Sequence, residues 1–230
     1  MFLYSMDIYY LVLVVPAIII AMIAQYKVQS SFSKYSQVMT YRGETAASLT
    51  RKILDANGLN HIGIEHIGGN LTDHYDPKNN VIRLSDSVYS SSSIAAIGVA
   101  AHEAGHAVQR SVGYSPIKIR NSLVPVTQFA SSLALPLAVL GLVMNNFLLP
   151  LGVILFSVVV LFQVVTLPVE FNASKRALDT LKDGFYLDEE ELKGAKKVLT
   201  AAAMTYVAAA LTAVMNLLRI ILLANNRRRD

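Results

Sequence analysis

Residues 101–109 read A-H-E-A-G-H-A-V-Q. On a helix, His102 and His106 stand four residues apart and project from one face, close enough for both imidazoles to bind one metal ion. Glu103 is offset by one residue. Its carboxylate reaches a water on that metal without entering the ligand set, which is what a general base for water attack requires. The plain alternative is a helix that happens to carry two histidines.

A catalytic zinc site needs three protein ligands and one open position. The chain has no cysteine, which excludes disulfides, cysteine-ligated zinc and thiol nucleophiles, so any metal is held by histidine and carboxylate. His61 and His66 lie five residues apart in a β-like stretch and read better as surface or structural residues. His74 lies in L-T-D-H-Y-D-P. Glu170 is the strongest carboxylate candidate, read as the start of a helix that returns from the membrane. Ser174 follows it by one turn, where a hydroxyl can orient a metal ligand. The competing reading of Glu170 is a solvated helix start.

The positioning elements are those of a membrane protein. The 230 residues are 53% hydrophobic and 16% charged, with mean hydropathy +0.44. The net charge of +4 and pI near 9.2 do not indicate nucleic acid. The basic residues flank apolar runs and form no stripe with interleaved aromatics. Residues 8–24 are long and apolar enough to cross a bilayer, and they lack the flanks of a cleaved signal peptide. Lys27, Lys34 and Arg42 follow, so the positive-inside rule puts the N-terminus outside and the next segment in the cytoplasm.

The expected organisation is a transmembrane anchor over residues 1–24 and a metallopeptidase domain over 25–121. A transmembrane helical hairpin follows over 122–168, then a helical segment carrying the third ligand over 169–197, and a C-terminal apolar helix with a basic tail over 198–230. Within the soluble domain, residues 45–56 form an amphipathic helix stopped at Asn57-Gly58. Strands are expected over 62–67, 71–75 and 81–84, the last two joined in a hairpin across 76–80. A strand edge beside the metal suits recognition of an extended peptide. Residues 90–110 form the helix of the two histidines, which is too short in its apolar part to span. Pro125 and Pro136 are possible kinks in the first arm of the hairpin, and Asn145-Asn146 is its turn. The acidic run from Asp188 to Glu191 signals the start of the last helix. Thr205, Tyr206, Thr212, Asn216 and Arg219 interrupt its apolar stretch, which either spans, leaving Arg227 to Arg229 outside against the charge rule, or packs without crossing.

The motifs A-A-H-E-A-G-H-A-V-Q, L-T-D-H-Y-D-P, T-L-P-V-E-F-N-A-S-K-R-A and T-Y-V-A-A-A-L together resemble the YugP-type membrane zinc metallopeptidases of bacteria, which are related in pattern to HtpX and the CAAX prenyl endopeptidases. The resemblance covers nearly the whole chain. It implies a mainly α integral membrane protein with a gluzincin-like HExxH peptidase domain, a small β-hairpin or sheet and three or four transmembrane helices. It also implies one zinc ion on His102, His106 and Glu170, with Glu103 as catalytic base. Two positions depart from the pattern: Ser174 stands where HtpX-like relatives carry an Asp that supports a zinc histidine, and Asn172 stands where Asp is expected.

The mechanism so implied has Glu103 take a proton from water activated at the metal, the water attack a peptide carbonyl, and Glu103 return the proton to the leaving amine. His74, Tyr75 and Tyr206 are the candidates for stabilising the oxyanion. The expected partners are a protein or peptide substrate, the lipid bilayer and other membrane proteins, with the active site at the cytoplasmic face of a multi-pass cell-membrane protein. Two rival classes stand beside this reading. One is a zinc-stabilised scaffold without turnover. The other is a site-2-type intramembrane protease, which Lys182-Asp183-Gly184 superficially suggests, although that stretch is charged and the histidine helix is not a span.

Overall fold

The computed structural model describes residues 7–143 and 147–227. The expected turn at Asn145-Asn146 and the tail arginines Arg228 and Arg229 lie outside the described residues. The protein is mainly helical with one small sheet. Helix α1 runs Tyr10–Ser36, opening with a π-helical turn over Tyr10–Val14. It is followed by α2 (Ala46–Ala56), strands β1 (Gly63–Ile67), β2 (His74–Asp76) and β3 (Val81–Ser85), and α3 (Ile94–Ser111). Three long helices complete the chain: α4 (Ser115–Val143), α5 (Leu148–Asp183) and α6 (Glu189–Arg227). Among the described residues, α1, α4, α5 and α6 are the four helices long and apolar enough to cross a membrane. Helix α3 is not among them, which removes the support for an intramembrane histidine helix.

The chain divides into two compact units. The first comprises the described residues of Met1–Gln25, Lys118–Pro168 and Met204–Asp230. Within it α1 and α6 run antiparallel: Arg219 donates to Asp7 Oδ2 at 2.6 and 2.9 Å and lies over the Tyr10 ring, while Thr212 Oγ1 reaches the Ala17 carbonyl at 3.5 Å. The Arg219 side chain is buried, and the Asp7 carboxylate offsets the cost of holding its charge there. Ala138, Leu149 and Ile220 pack together, which brings the end of α4 and the start of α5 to the same end of this unit.

The second unit comprises Tyr26–Ile117 and Val169–Ala203. Its core joins Leu49, Ile53 and Leu54 of α2, Ile82 and Leu84 of β3, Ile97, Ala100 and Ala104 of α3, Leu181 of α5 and Leu199 of α6. The helix starts follow the capping chemistry of the sequence. Thr45 accepts from the Ser48 N–H at 3.3 Å and Ser93 from the Ala96 N–H at 3.3 Å. Asp188 and Glu191 form a reciprocal capping box, with N–H to carboxylate distances of 2.8 and 2.9 Å. The sheet has the order β1-β3-β2, with β1 parallel and β2 antiparallel to β3.

Two elements differ from expectation. The second strand is confined to His74–Asp76, because Leu71 has φ 55° and Asp73 turns its own carboxylate onto Ser85, accepting from the Ser85 N–H at 2.7 Å. A side chain therefore takes a donor that an earlier strand residue would need. Glu170 also does not start a helix. It lies in the body of α5, which continues through Pro168 without a break; proline removes one N–H from the ladder yet does not end this helix.

Helix α3 meets α5 without room for a side chain. A Cβ placed on Gly105 would lie 2.8 Å from the Ala173 carbonyl oxygen, whereas one on Gly98 would meet Ala195 Cβ at an ordinary 3.6 Å. Backbone cannot rotate away as a side chain can. Gly105→Ala should therefore cost about 1–3 kcal/mol of stability and lower metal content, with Gly98→Ala close to wild type, both read by thermal unfolding of the purified protein in detergent. Equal behaviour of the two variants would contradict the close-approach argument.

Candidate metal centre

One face of α3 and one turn of α5 supply the donors. His102 and His106 stack edge to face with ring centroids 4.7 Å apart. The Glu170 Oε2 atom lies 3.3 Å from His102 Nε2 and 3.5 Å from His106 Nε2. The three donor atoms lie within 4.8 Å of one another, so this buried cluster is able to coordinate a metal ion. Glu170 is only 2% exposed and His106 8%. Two imidazoles and a carboxylate so buried suit a borderline metal such as zinc better than the all-oxygen shells of calcium or magnesium.

The far nitrogen of each imidazole is also held. Ser174 Oγ lies 3.2 Å from His102 Nδ1. Gln109 Oε1 lies 3.0 Å from His106 Nδ1. With Nδ1 protonated, each oxygen accepts that proton and Nε2 of both rings faces Glu170, free to act as a donor atom to a metal. Gln109 is fully buried, and its amide donates to the Val169 carbonyl at 2.8 Å and to Asn172 Oδ1 at 3.0 Å. Arg176 Nε donates to the same Asn172 oxygen at 2.8 Å. Ser174 thus touches the cluster directly and Asn172 through Gln109.

Glu103 is buried beside the cluster at 8% exposure. Its Oε2 accepts the Tyr75 N–H at 2.9 Å. Tyr75 lies on β2, an edge strand of the sheet, so its outward N–H reaches α3 instead of another strand. Arg110, seven residues after Glu103 and on the same helix face, ties that strand down. It donates to Tyr75 Oη at 3.4 Å, to the Pro77 carbonyl and to Asn80 Oδ1 at 3.5 Å. Asp73 completes the support through the Ser85 N–H and hydroxyl. Burial pushes the Asp73 carboxyl up, and the charge of Glu103 pushes the same way against the Ser85 hydrogen bonds.

The other candidates fall elsewhere. His61 is exposed, and the exposed His66 pairs with Asp86 at 2.7 Å. The exposed His74 has Nδ1 2.9 Å from the Thr72 carbonyl. Tyr206 belongs to the first unit. Reading the sequence alone misses Gln109, Asp73 and Arg110. Gln109 carries a signal in retrospect, being three residues from His106 on the same helix face.

Comparison with known proteins agrees with the geometry. The family model described as "Putative neutral zinc metallopeptidase" matches residues 10–225. The chain is 47% identical over 221 residues to "Putative membrane protease YugP" of Bacillus subtilis (strain 168), covering 95% of this chain and 98% of that protein. No solved structure matches.

The cluster is built to receive positive charge. Burial alone pushes the His106 imidazolium down, but the Glu170 hydrogen bond and the charges of Glu103 and Glu170 outweigh it and hold the ring proton above the ordinary histidine range. A metal must displace that proton. Zinc affinity should therefore be flat above the raised pKa and fall by about tenfold per pH unit per displaced proton below it, with proton release measurable by calorimetry in buffers of different ionisation enthalpy. In the same titration Gln109→Leu should weaken zinc by about 10–100-fold. A pH-independent affinity, or a wild-type value for the variant, would contradict the assigned tautomers.

Proposed function

The chain belongs to the neutral zinc metallopeptidase family, and from that premise we propose that it is a membrane-embedded zinc-dependent endopeptidase. The observation that carries the reading is the buried convergence of His102, His106 and Glu170 with Glu103 fixed beside them. In this reading residues 25–121 and 169–197 make up a gluzincin-like peptidase domain, and the two histidines with Glu170 hold one zinc ion. Bound there, zinc supplies the Lewis acidity that activates water and polarises a peptide carbonyl.

The chain's own residues carry the protons and the alignment. Tyr75 N–H pins Glu103 Oε2 and leaves Oε1 to accept a proton from the attacking water and deliver it to the leaving amine. Ser174 and Gln109 keep the imidazoles in the tautomer that presents Nε2. Arg110 acts through Tyr75 as a positioning residue. Burial of the cluster keeps bulk water from competing, which strengthens every charge interaction within it.

Substrate class follows from where Glu170 lies in the chain. It is the second residue after Pro168, in a helix whose preceding residues are apolar enough to span. Membrane proteins, their juxtamembrane segments and unfolded chains held at the bilayer are the proposed substrates. The charge pattern around residues 27–42 supports a cytoplasmic active site in a multi-pass cell-membrane protein, with α6 crossing completely.

Purified Glu103→Gln protein should retain zinc at wild-type stoichiometry and lose at least about 100-fold in cleavage of an unfolded protein substrate. Glu170→Ala should lose the metal itself. Equal cleavage by wild type and Glu103→Gln would sink the catalytic assignment, and unchanged zinc in Glu170→Ala would move the ligand role elsewhere. Orientation is tested separately by a cysteine placed at Asn79, on the exposed β2–β3 turn of a chain with no other cysteine. It should resist an impermeant thiol reagent in intact cells and react after lysis.

A further inference from the structure

Beside the metal cluster, on the far side of Ser174, a cavity of about 310 Å³ opens between α5 and α6. Its apolar wall is formed by Phe171, Leu178, Leu199 and Ala203, and the exposed Lys196 also lines it. We propose that this cavity is a substrate subsite that takes a large apolar side chain flanked by an acidic residue. The proposal rests on the peptidase reading and names the substrate feature that the site selects.

Three observations carry it. Ser174 belongs to both places: it lines the cavity while its Oγ lies 3.2 Å from His102 Nδ1. The His102 ring, held by Ser174 at Nδ1 and facing Glu170 with Nε2, is what separates the cavity from the cluster, and an extended peptide that advances about 3.3 Å per residue passes one imidazole ring within two or three residues. Second, Phe171 directly follows Glu170 and is 46% exposed, an aromatic face left uncovered in a concave wall. The volume holds a leucine or phenylalanine side chain, and the methyl of Ala203 leaves that room.

Third, the charges are uneven. Lys175 is engaged by Asp179 at 2.5 Å, both of them lining residues, whereas Lys196 has no carboxylate partner among the described residues. One cation beside an apolar cavity favours a neighbouring carboxylate on the occupant and disfavours a second cation.

The test uses full-length Glu103→Gln protein, zinc-loaded in detergent, and measures affinity for fluorescent peptides that carry Phe-Glu, Ala-Glu or Phe-Lys at one place in a common frame. Phe-Glu should bind at least about tenfold more tightly than Ala-Glu and about fivefold more tightly than Phe-Lys. Adding Ala203→Phe, which fills the cavity, should erase the Phe preference while leaving Ala-Glu affinity unchanged. Adding Lys196→Glu, a substitution at an exposed position, should invert the Glu over Lys preference even if the filled variant does not fold. Ratios unmoved by these substitutions overturn the proposal. So does loss of a co-purifying phospholipid from the Ala203→Phe protein with the peptide ratios intact, which would assign the cavity to lipid. Binding with the expected preferences but no turnover of the same peptides by the wild-type protein would sink the peptidase reading and leave the subsite standing.

Discussion

The contact between Gly105 and Ala173 sets the geometry on which the metal cluster depends. His102 and His106, one turn apart on α3, converge by the pitch of the helix alone, but Glu170 comes from α5, 64 residues beyond His106 in the chain. A carboxylate on a short side chain reaches both Nε2 atoms only if the two backbones nearly touch. Glycine at 105 permits that, and Ala173 presents no bulk against it. Gly105 is therefore as much a part of the candidate site as the three side chains that converge there, although it has no chemistry of its own.

A site buried to this degree must satisfy its polar groups internally, because each unpaired donor or acceptor costs more than the bond it forgoes. The structure meets this with one connected network. Gln109 accepts from His106, donates to the Val169 carbonyl and reaches Asn172, which in turn accepts from Arg176. Replacing the expected Asp by Asn at 172 leaves a neutral acceptor for both the Gln109 amide and Arg176. Ser174 likewise provides a neutral acceptor for His102. The first ring of support thus carries little negative charge, and the carboxylates that draw a cation are Glu170 and Glu103 themselves.

The sequence shows the two histidines and their glutamate, the four apolar runs, α2, α3 and the β2–β3 turn, because each is local: a spacing, a run of apolar residues or a turn signal. What stays hidden is non-local. That β1 pairs in parallel with β3, that Asp73 replaces a strand hydrogen bond, and that Tyr75 gives its N–H to a glutamate on another element all depend on which chain segments meet. Glu170 illustrates the division. Its residue type and its place after an apolar run mark it from the sequence, but the proline two residues earlier suggests a helix boundary that the continuous α5 does not have.

That continuity bears on how the centre forms. Residues 25–121 contain two of the proposed ligands and the proposed base, yet they cannot complete the cluster, since Glu170, Asn172 and Ser174 all lie on α5. The same helix begins at Leu148 among residues that are stable as a helix in lipid, where every backbone group must be satisfied within the segment. A helix already formed over Leu148–Pro168 has paid the nucleation cost for the turn that carries Glu170, so that turn propagates by adding one hydrogen bond per residue. The turn that carries Glu170 is in this way continuous with the apolar stretch of the same helix. Without α5 the candidate centre keeps His102, His106 and Glu103 but lacks the carboxylate that brings the cluster together.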